Sequence, residues 1–358
     1  MEIHQYLDKK KKLQYDLLRY IENERNVEEN FLKLIPLIND QNIHQDPQEL
    51  QAFLYLLIKI TNNFNRSPTF FRKIEKIILY VKNDILNHLT NYEIFNIFKS
   101  NKRILLFLLQ EKILIPDKSI TISLQQKKFK KFNYIKFLYP ELNTKIIKID
   151  VLDKQNFDEK RKIGENDDYI CELIRNDSID EFISLVKKKR FHIKMIIEPS
   201  IFETNNFLLK NQPNLIEYSA FFGSIQIFKY LHMNGIELKP SIWIYAIHGR
   251  NPEMINYIEE RKIKPESNSF FECIKESIKC HHNEIVNYIQ NNLLEINNGF
   301  FELGVKYYNY EFFIDEFINN DNDIDIETIF YQFCRYNYIY LVKFLLKTKE
   351  IKINQKNK

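Results

Sequence analysis

The chain has 358 residues, 44% of them hydrophobic and 28% charged, with a net charge of +4; this balance excludes a disordered chain and a histone-like excess of basic charge. Only 6 Gly and 10 Pro occur, too few for the glycine turns of β-sandwiches and nucleotide-binding α/β folds, so an all-α chain is expected. The length exceeds one ordinary core and points to two domains or an extended array.

Residues 1–12 put Asp8 and four lysines where a secretory leader would place its apolar core, so no leader is expected. Three helix starts are then marked. Asp46-Pro47 with Glu49 offers a cap, a first-position proline and an acid for the helix dipole; Ser67-Pro68 repeats the cap and proline; Thr90-Asn91-Tyr92-Glu93 has capping-box spacing. Apolar residues at helical spacing follow each of them, giving an N-terminal antiparallel helical stack over residues 1–140. Its longest apolar stretches, 52–58 and 104–109, fall far short of the ~20 residues that span a bilayer, so no membrane association is expected. Residues 1–150 hold 25 Lys+Arg against 17 Asp+Glu, an excess of 8, and nucleic-acid binding by this basic half is the alternative functional reading. From Pro116 to Phe157 the pattern loosens and reads as a connector, with its boundary segment at 141–165.

Helical periodicity resumes at Asp168, and Asp177-Ser178 reads as a capped start for the helix that follows. Over 166–358 one block recurs: Ile227-Phe228-Lys229-Tyr230-Leu231, Met254-Ile255-Asn256-Tyr257-Ile258, Ile285-Val286-Asn287-Tyr288-Ile289, Phe313-Ile314-Asp315-Glu316-Phe317 and Leu341-Val342-Lys343-Phe344-Leu345, starting 27, 31, 28 and 28 residues apart. Units of about 30 residues hold two short helices and bury their apolar faces only by stacking on neighbours. A shorter signature ending in a turn precedes each block. In the first unit Ser219 and Ala220 allow close helix approach and Gly223 makes the turn; in the second, Ala246-Ile247-His248-Gly249 is followed by the capped start Asn251-Pro252-Glu253.

These residues resemble a degenerate ankyrin repeat: a small pair, a turn glycine, a second helix of the form Asn283-Glu284-Ile285-Val286 or Tyr340-Leu341-Val342-Lys343-Phe344-Leu345-Leu346, then Asn234-Gly235. The chain is further similar to a large protist family of unknown function that joins an N-terminal helical segment to such repeats, through Leu215 to Gly223, Ser100 to Leu109 and Asn211-Gln212-Pro213. The likeness implies a helical-repeat solenoid and a protein–protein interaction role. The Thr-Pro-Leu-His opening of the ankyrin pattern is absent from every repeat, so the hairpin fingers of regular arrays are expected to be short or missing. The 45-residue step from Phe182 to Ile227 implies an insertion around 193–214.

Catalytic motifs are absent: there is no Gly-x-Ser-x-Gly, no phosphate-binding glycine loop and no His-Glu-x-x-His. Cys273, Cys280, His281 and His282 have metal-ligand chemistry but match no standard spacing and read as packing residues. Cys334 aligns with Ala220 and reads the same way, and with Cys171 the four cysteines suit free thiols in a reducing interior. Asp321, Asp323, Asp325 and Glu327 lack the offsets of a calcium loop. In Lys127-Lys128-Phe129-Lys130-Lys131-Phe132 the aromatics are expected to pack inward beneath snorkelling lysines. Neither metal, cofactor nor small-molecule substrate is expected, and the chain reads as a cytoplasmic non-enzyme, with the nucleus as alternative. In ankyrin arrays the two residues after the small pair face the concave surface, which the resemblance carries onto Phe221-Phe222, Ile247-His248, Ile278-Lys279, Lys306-Tyr307 and Arg335-Tyr336. Hot-spot chemistry selects His248, Lys279, Lys306, Tyr307, Arg335 and Tyr336 as the partner-binding residues. Trp243 reads as half-buried between repeats.

Overall fold

A computed structural model describes residues 3–142, 154–189, 192–266, 269–293, 300–319 and 325–348. The described chain is helical throughout, with no strand and one isolated antiparallel bridge, Ile196 to Asn214. No helix among the described residues is long and apolar enough to cross a membrane. The chain divides into two compact units, one of residues 1–61, 66–89 and 295–358, the other of residues 62–65 and 90–294.

In the larger unit, helices come in pairs joined by a tight turn: Tyr169–Arg175 with Ile179–Lys189, Leu215–Phe222 with Ile225–Met233, Ile242–Gly249 with Pro252–Glu260, and Phe271–Cys280 with Asn283–Asn292. The first helices of successive pairs pack on one another. Each turn is built on one left-handed residue, here Asp177, Gly223, Arg250 and His281, and in the smaller unit Tyr308 and Asn337. Around five of the six, the Schellman pattern closes the helix. The left-handed residue's N–H reaches back to the carbonyl three before it, as Gly223 to Ala220, and the next N–H reaches five back, as Ser224 to Ser219, His282 to Ser277, Asn309 to Gly304 and Tyr338 to Phe333.

The turns are also stitched to one another. In three successive turns of the larger unit, the residue after the left-handed position donates to a backbone carbonyl of the preceding turn: Ser224 Oγ to Ile174 O (2.5 Å), Asn251 Nδ2 to Gly223 O (2.7 Å) and His282 Nδ1 to Ile247 O (2.9 Å). Second helices add their own links, Tyr257 Oη to His232 Nδ1 (2.9 Å) and Tyr288 Oη to Glu259. The recurrent blocks supply the apolar side of this packing: Ile227, Phe228 and Leu231, Met254 and Ile258, Ile285 and Ile289 are buried.

Three local expectations are corrected. Asp177 caps not its own helix but a neighbour, accepting from Gln226 and Ile227 N–H (3.0 Å each), because its left-handed backbone turns the carboxylate toward the start of Ile225–Met233. The helix after Ser67-Pro68 begins at Phe70 with Thr69 as its flanking residue, since Ser67 instead accepts a turn bond from Phe70 N–H. Trp243 is fully buried, its indole N–H bonded to Ile263 O at 2.6 Å. The capping boxes and caps at Thr90, Asn214 and Asn251 form as their sequences require.

The stretch read as a connector is ordered by its own chemistry where described. Lys118–Leu124, Lys127–Lys131, Tyr134–Leu142 and Lys154–Ile163 are helices. Asp117 caps the first, and Arg161, 1% exposed, makes a bidentate pair with Glu141 (2.6 and 3.0 Å) and donates to Phe137 O. Phe129 is buried edge-on to Tyr134 while Lys127, Lys128, Lys130 and Lys131 are exposed.

In the smaller unit, the N-terminal helices Ile3–Glu22 and Pro47–Asn63 contact the C-terminal pairs, and Val27–Asn39 and Phe70–Tyr80 pack on Ile3–Glu22. Gln14 is buried in Ile3–Glu22. Its amide donates to Asn309 Oδ1 (3.0 Å) and accepts from Tyr310 N–H (2.7 Å), so it saturates the turn after Tyr308. Tyr6 stacks on Tyr340 with centroids 3.9 Å apart. Lys10 and Glu49 form an ion pair at 2.5 Å, their side chains 3% and 10% exposed. Lys73, also buried, donates to Ile21 O and Asn23 O (2.8 and 3.0 Å) at the carboxyl end of the first helix, where a cation meets the helix dipole.

Two experiments follow. Removing one partner of the Lys10–Glu49 pair, as in Glu49→Gln, strands a buried charge and lowers stability by about 3–5 kcal/mol in urea titrations, whereas Lys10→Met with Glu49→Leu recovers most of the loss. Gly235 (φ +85°) has open space around its missing Cβ, so Gly235→Ala costs only the left-handed strain of about 1–2 kcal/mol; Gly249→Ala costs more, because the new carbon would lie 2.2 Å from Ala220 O.

Candidate functional site

The left-handed residues set the register of the repeats, and that register differs from the one read off the glycines. Gly249 does not occupy the turn. Arg250 takes the left-handed position (φ 51°), while Gly249 ends the helix before it and brings its backbone against Ala220 and Gly223. In the third unit His281 (φ 58°), not Cys280, makes the turn. The two residues preceding each turn are therefore Phe221-Phe222, His248-Gly249, Lys279-Cys280, Lys306-Tyr307 and Arg335-Tyr336; the second and third units shift by one. Sequence reading took glycine as a turn marker, and its second use, close helix contact, produced the offset.

The six expected partner-binding residues are distributed as follows. In the larger unit His248 is 3% exposed and does not face solvent, and Lys279 is partly exposed. In the smaller unit Lys306, Tyr307 and Tyr336 are partly exposed and Arg335 is exposed. Lys306 lies over the Tyr307 ring (5.1 Å) and Arg335 over Tyr336 (5.5 Å). The helix Pro47–Asn63 lies against the same column: Lys59 is 5.9 Å from the Tyr307 ring, Tyr55 stacks on Tyr308, and Tyr55 Oη accepts from Asn337 Nδ2. Burial and the neighbouring Lys306 charge push the Lys59 amine below its ordinary value.

Around His248 the larger unit holds a compact polar cluster. Its Nε2 is 2.7 Å from Glu276 Oε1, which also accepts from Lys279 Nζ at 2.6 Å. Cys280 Sγ lies 3.5 Å from His248 Nδ1 and 3.9 Å from Nε2. Two mutually stacked aromatic rings contact the imidazole, Phe221 at 4.8 Å and Phe207 at 4.3 Å between centroids, and Lys279 Nζ is 5.7 Å from the Phe207 ring. Phe207 comes from Asn206–Asn211, the helix inside the insertion that the 45-residue step announced. It covers the face on which the resemblance places a partner for the first two repeats.

The electrostatics follow from this enclosure. Burial pushes the His248 pKa down, against the pull of Glu276. Burial also pushes the Cys280 thiol well above its ordinary value. Glu276 goes the other way: burial alone would raise it, but the hydrogen bond and charge of His248, followed by the charge and hydrogen bond of Lys279, hold it at about 2. Among the described residues, His248, Glu276 and Cys280 are the group of three metal-binding side chains that converge, their donor atoms within 4.8 Å of one another. The four singled out by sequence, Cys273, Cys280, His281 and His282, are not brought together; His282 is committed to the turn ladder through Ile247 O, with its ring against Phe64. Cys334, expected to pack like Ala220, is exposed, as no later pair among the described residues covers that position. Asp321 and Asp323 lie outside the described residues.

No family model, curated protein or solved structure matches this chain.

The histidines give a pH prediction. His248 and His282 are both held below the ordinary value, His282 by burial first and then by the Arg250 charge. Protons therefore bind the unfolded chain preferentially, and stability falls as pH drops through about 6.5, with a second loss between about 4.5 and 2 as Glu276 protonates. His282→Asn keeps the carbonyl donor that Asn251 supplies one turn earlier, and should reduce the loss between pH 6.5 and 5.5 by about 1 kcal/mol in chemical denaturation.

Proposed function

We propose that the chain is a non-catalytic interaction scaffold, an irregular ankyrin-like helical solenoid that offers, in each of its two units, a column of side chains to a protein partner. The observation carrying this reading is the recurrence of one helix–turn–helix unit, with the same left-handed residue and closing bonds at Asp177, Gly223, His281, Tyr308 and Asn337. Arrays of this kind bind through the residues that vary at a constant register position. That position carries Lys279 in the larger unit and Lys306 and Arg335 in the smaller, followed by Tyr307 and Tyr336. Arg and Tyr are the side chains from which interface hot spots are most often built, and these are at least partly exposed. Phe207 narrows the column, since it already occupies Phe221 and His248.

Nucleic-acid binding by the run at 127–131 is the weaker reading, because Phe129 is buried and cannot stack on a base. Crosslinking mass spectrometry on full-length protein with its captured partner separates the two. Crosslinks at Lys279 and Lys306, with capture lost at least tenfold in Arg335→Glu with Tyr336→Ala, support the scaffold column. Crosslinks confined to Lys127, Lys128, Lys130 and Lys131, with binding that falls steeply with salt, would replace it.

A further inference from the structure

His248, Glu276 and Cys280 each depart from the repeat at their own register position. His248 stands where the first unit has Phe221, Glu276 where the two preceding units have Tyr218 and Tyr245, and Cys280 where they have Phe222 and Gly249. Packing alone is satisfied by the apolar versions in those neighbours, yet the three departures meet at one point across the helices Ile242–Gly249 and Phe271–Cys280. We propose that His248, Glu276 and Cys280 bind one divalent transition-metal ion of the zinc class through an imidazole nitrogen, a carboxylate oxygen and a thiolate.

The donor set fits that class of ion: a borderline nitrogen, a hard oxygen and a soft sulfur together suit zinc or cobalt, and are a poor match for magnesium or calcium, which take all-oxygen ligands. Metal–ligand lengths of about 2.0 Å to nitrogen or oxygen and about 2.3 Å to sulfur put tetrahedral donor edges near 3.3 Å and 3.5 Å. Nε2 lies 2.7 Å from Oε1 and 3.9 Å from Sγ, and the three donor atoms lie within 4.8 Å of one another, so the ion needs shifts of roughly half an ångström to about one ångström. Phe207 and Phe221 already fix the imidazole plane. On binding, the thiol loses its proton to solvent, the imidazole proton moves from Nε2 to Nδ1, and the ion replaces the bond between His248 and Glu276. One thiolate and one carboxylate then neutralise the dication. Lys279, 21% exposed, turns outward as the ion takes its place at Glu276, and the 14% exposure of Glu276 marks the route by which the ion and a fourth, water ligand enter.

The experiment is a titration of chelator-treated full-length protein with cobalt(II), then zinc(II), followed by absorption and circular dichroism. The expected result is one cobalt per chain, a thiolate-to-cobalt charge-transfer band with the visible bands of a tetrahedral site, displacement by zinc, and a zinc-dependent rise in Tm. Cys280→Ala abolishes the charge-transfer band and Glu276→Gln weakens binding at least about tenfold, while Cys273→Ala and Cys334→Ala leave the band intact. The proposal is overturned if wild-type protein binds no stoichiometric cobalt, if the band survives in Cys280→Ala, or if it disappears in Cys334→Ala. Should Cys280→Ala fail to fold, His248→Gln, retaining a polar side chain at that position, serves the same purpose.

Discussion

Each helical pair turns on a single residue in the left-handed region, and the orphan backbone groups created there have to be satisfied without water. The chain solves this with its own neighbours. A side chain from the following turn, Ser224, Asn251 or His282, reaches a carbonyl of the turn before it, and at the turn after Tyr308 Gln14 instead bonds the Asn309 side chain and the Tyr310 N–H. Ser, Asn and His perform one task at the position after the left-handed residue, so the side chain there differs between pairs while the bond is kept. Losing the ladder would leave buried carbonyls unpaired, each at a cost of about 1–3 kcal/mol.

This constraint also organises the polar interior. A buried imidazole is expected to be either structural or functional, and the register separates the two cases. His282 falls on the ladder position and makes the ladder bond. His248 falls elsewhere and bonds Glu276 and Cys280, residues that depart from the pattern of the two preceding pairs in their own right. The helix Asn206–Asn211 then covers this cluster with Phe207, so a segment outside the helical pairs lies over the side chains that depart most from their pattern.

In the smaller unit the N-terminal helices are not an appendage. Tyr6, Lys10, Gln14, Tyr55 and Lys59 contact or pair with residues of the same unit, among them Tyr340, Asn309, Tyr308 and Tyr307. Residues more than 280 positions apart thus share one compact unit, an arrangement to which local periodicity is blind. Buried Lys10, Lys73 and Lys102 belong to the same lesson. Each is an ordinary lysine in sequence, and each becomes a structural donor only because a carboxylate or the carbonyls of a distant segment wait for it.

What the sequence determined by itself is local: the helical class, through scarce glycine and 3.6-residue periodicity; the caps at Thr90 and Asn251; the repeat period; and the insertion before the first full block. These depend on interactions between residues a few positions apart, so spacing alone encodes them. Tertiary structure decided the register of the second and third turns, because Gly249 is required for close contact with Ala220 rather than for a positive φ. It also decided that Asp177 caps a neighbouring helix, that His248 is enclosed, and that Glu276 and Cys280 meet it. Those outcomes depend on which helix faces which, and a hydrogen bond or a donor cluster across helices leaves no spacing in the chain by which to read it.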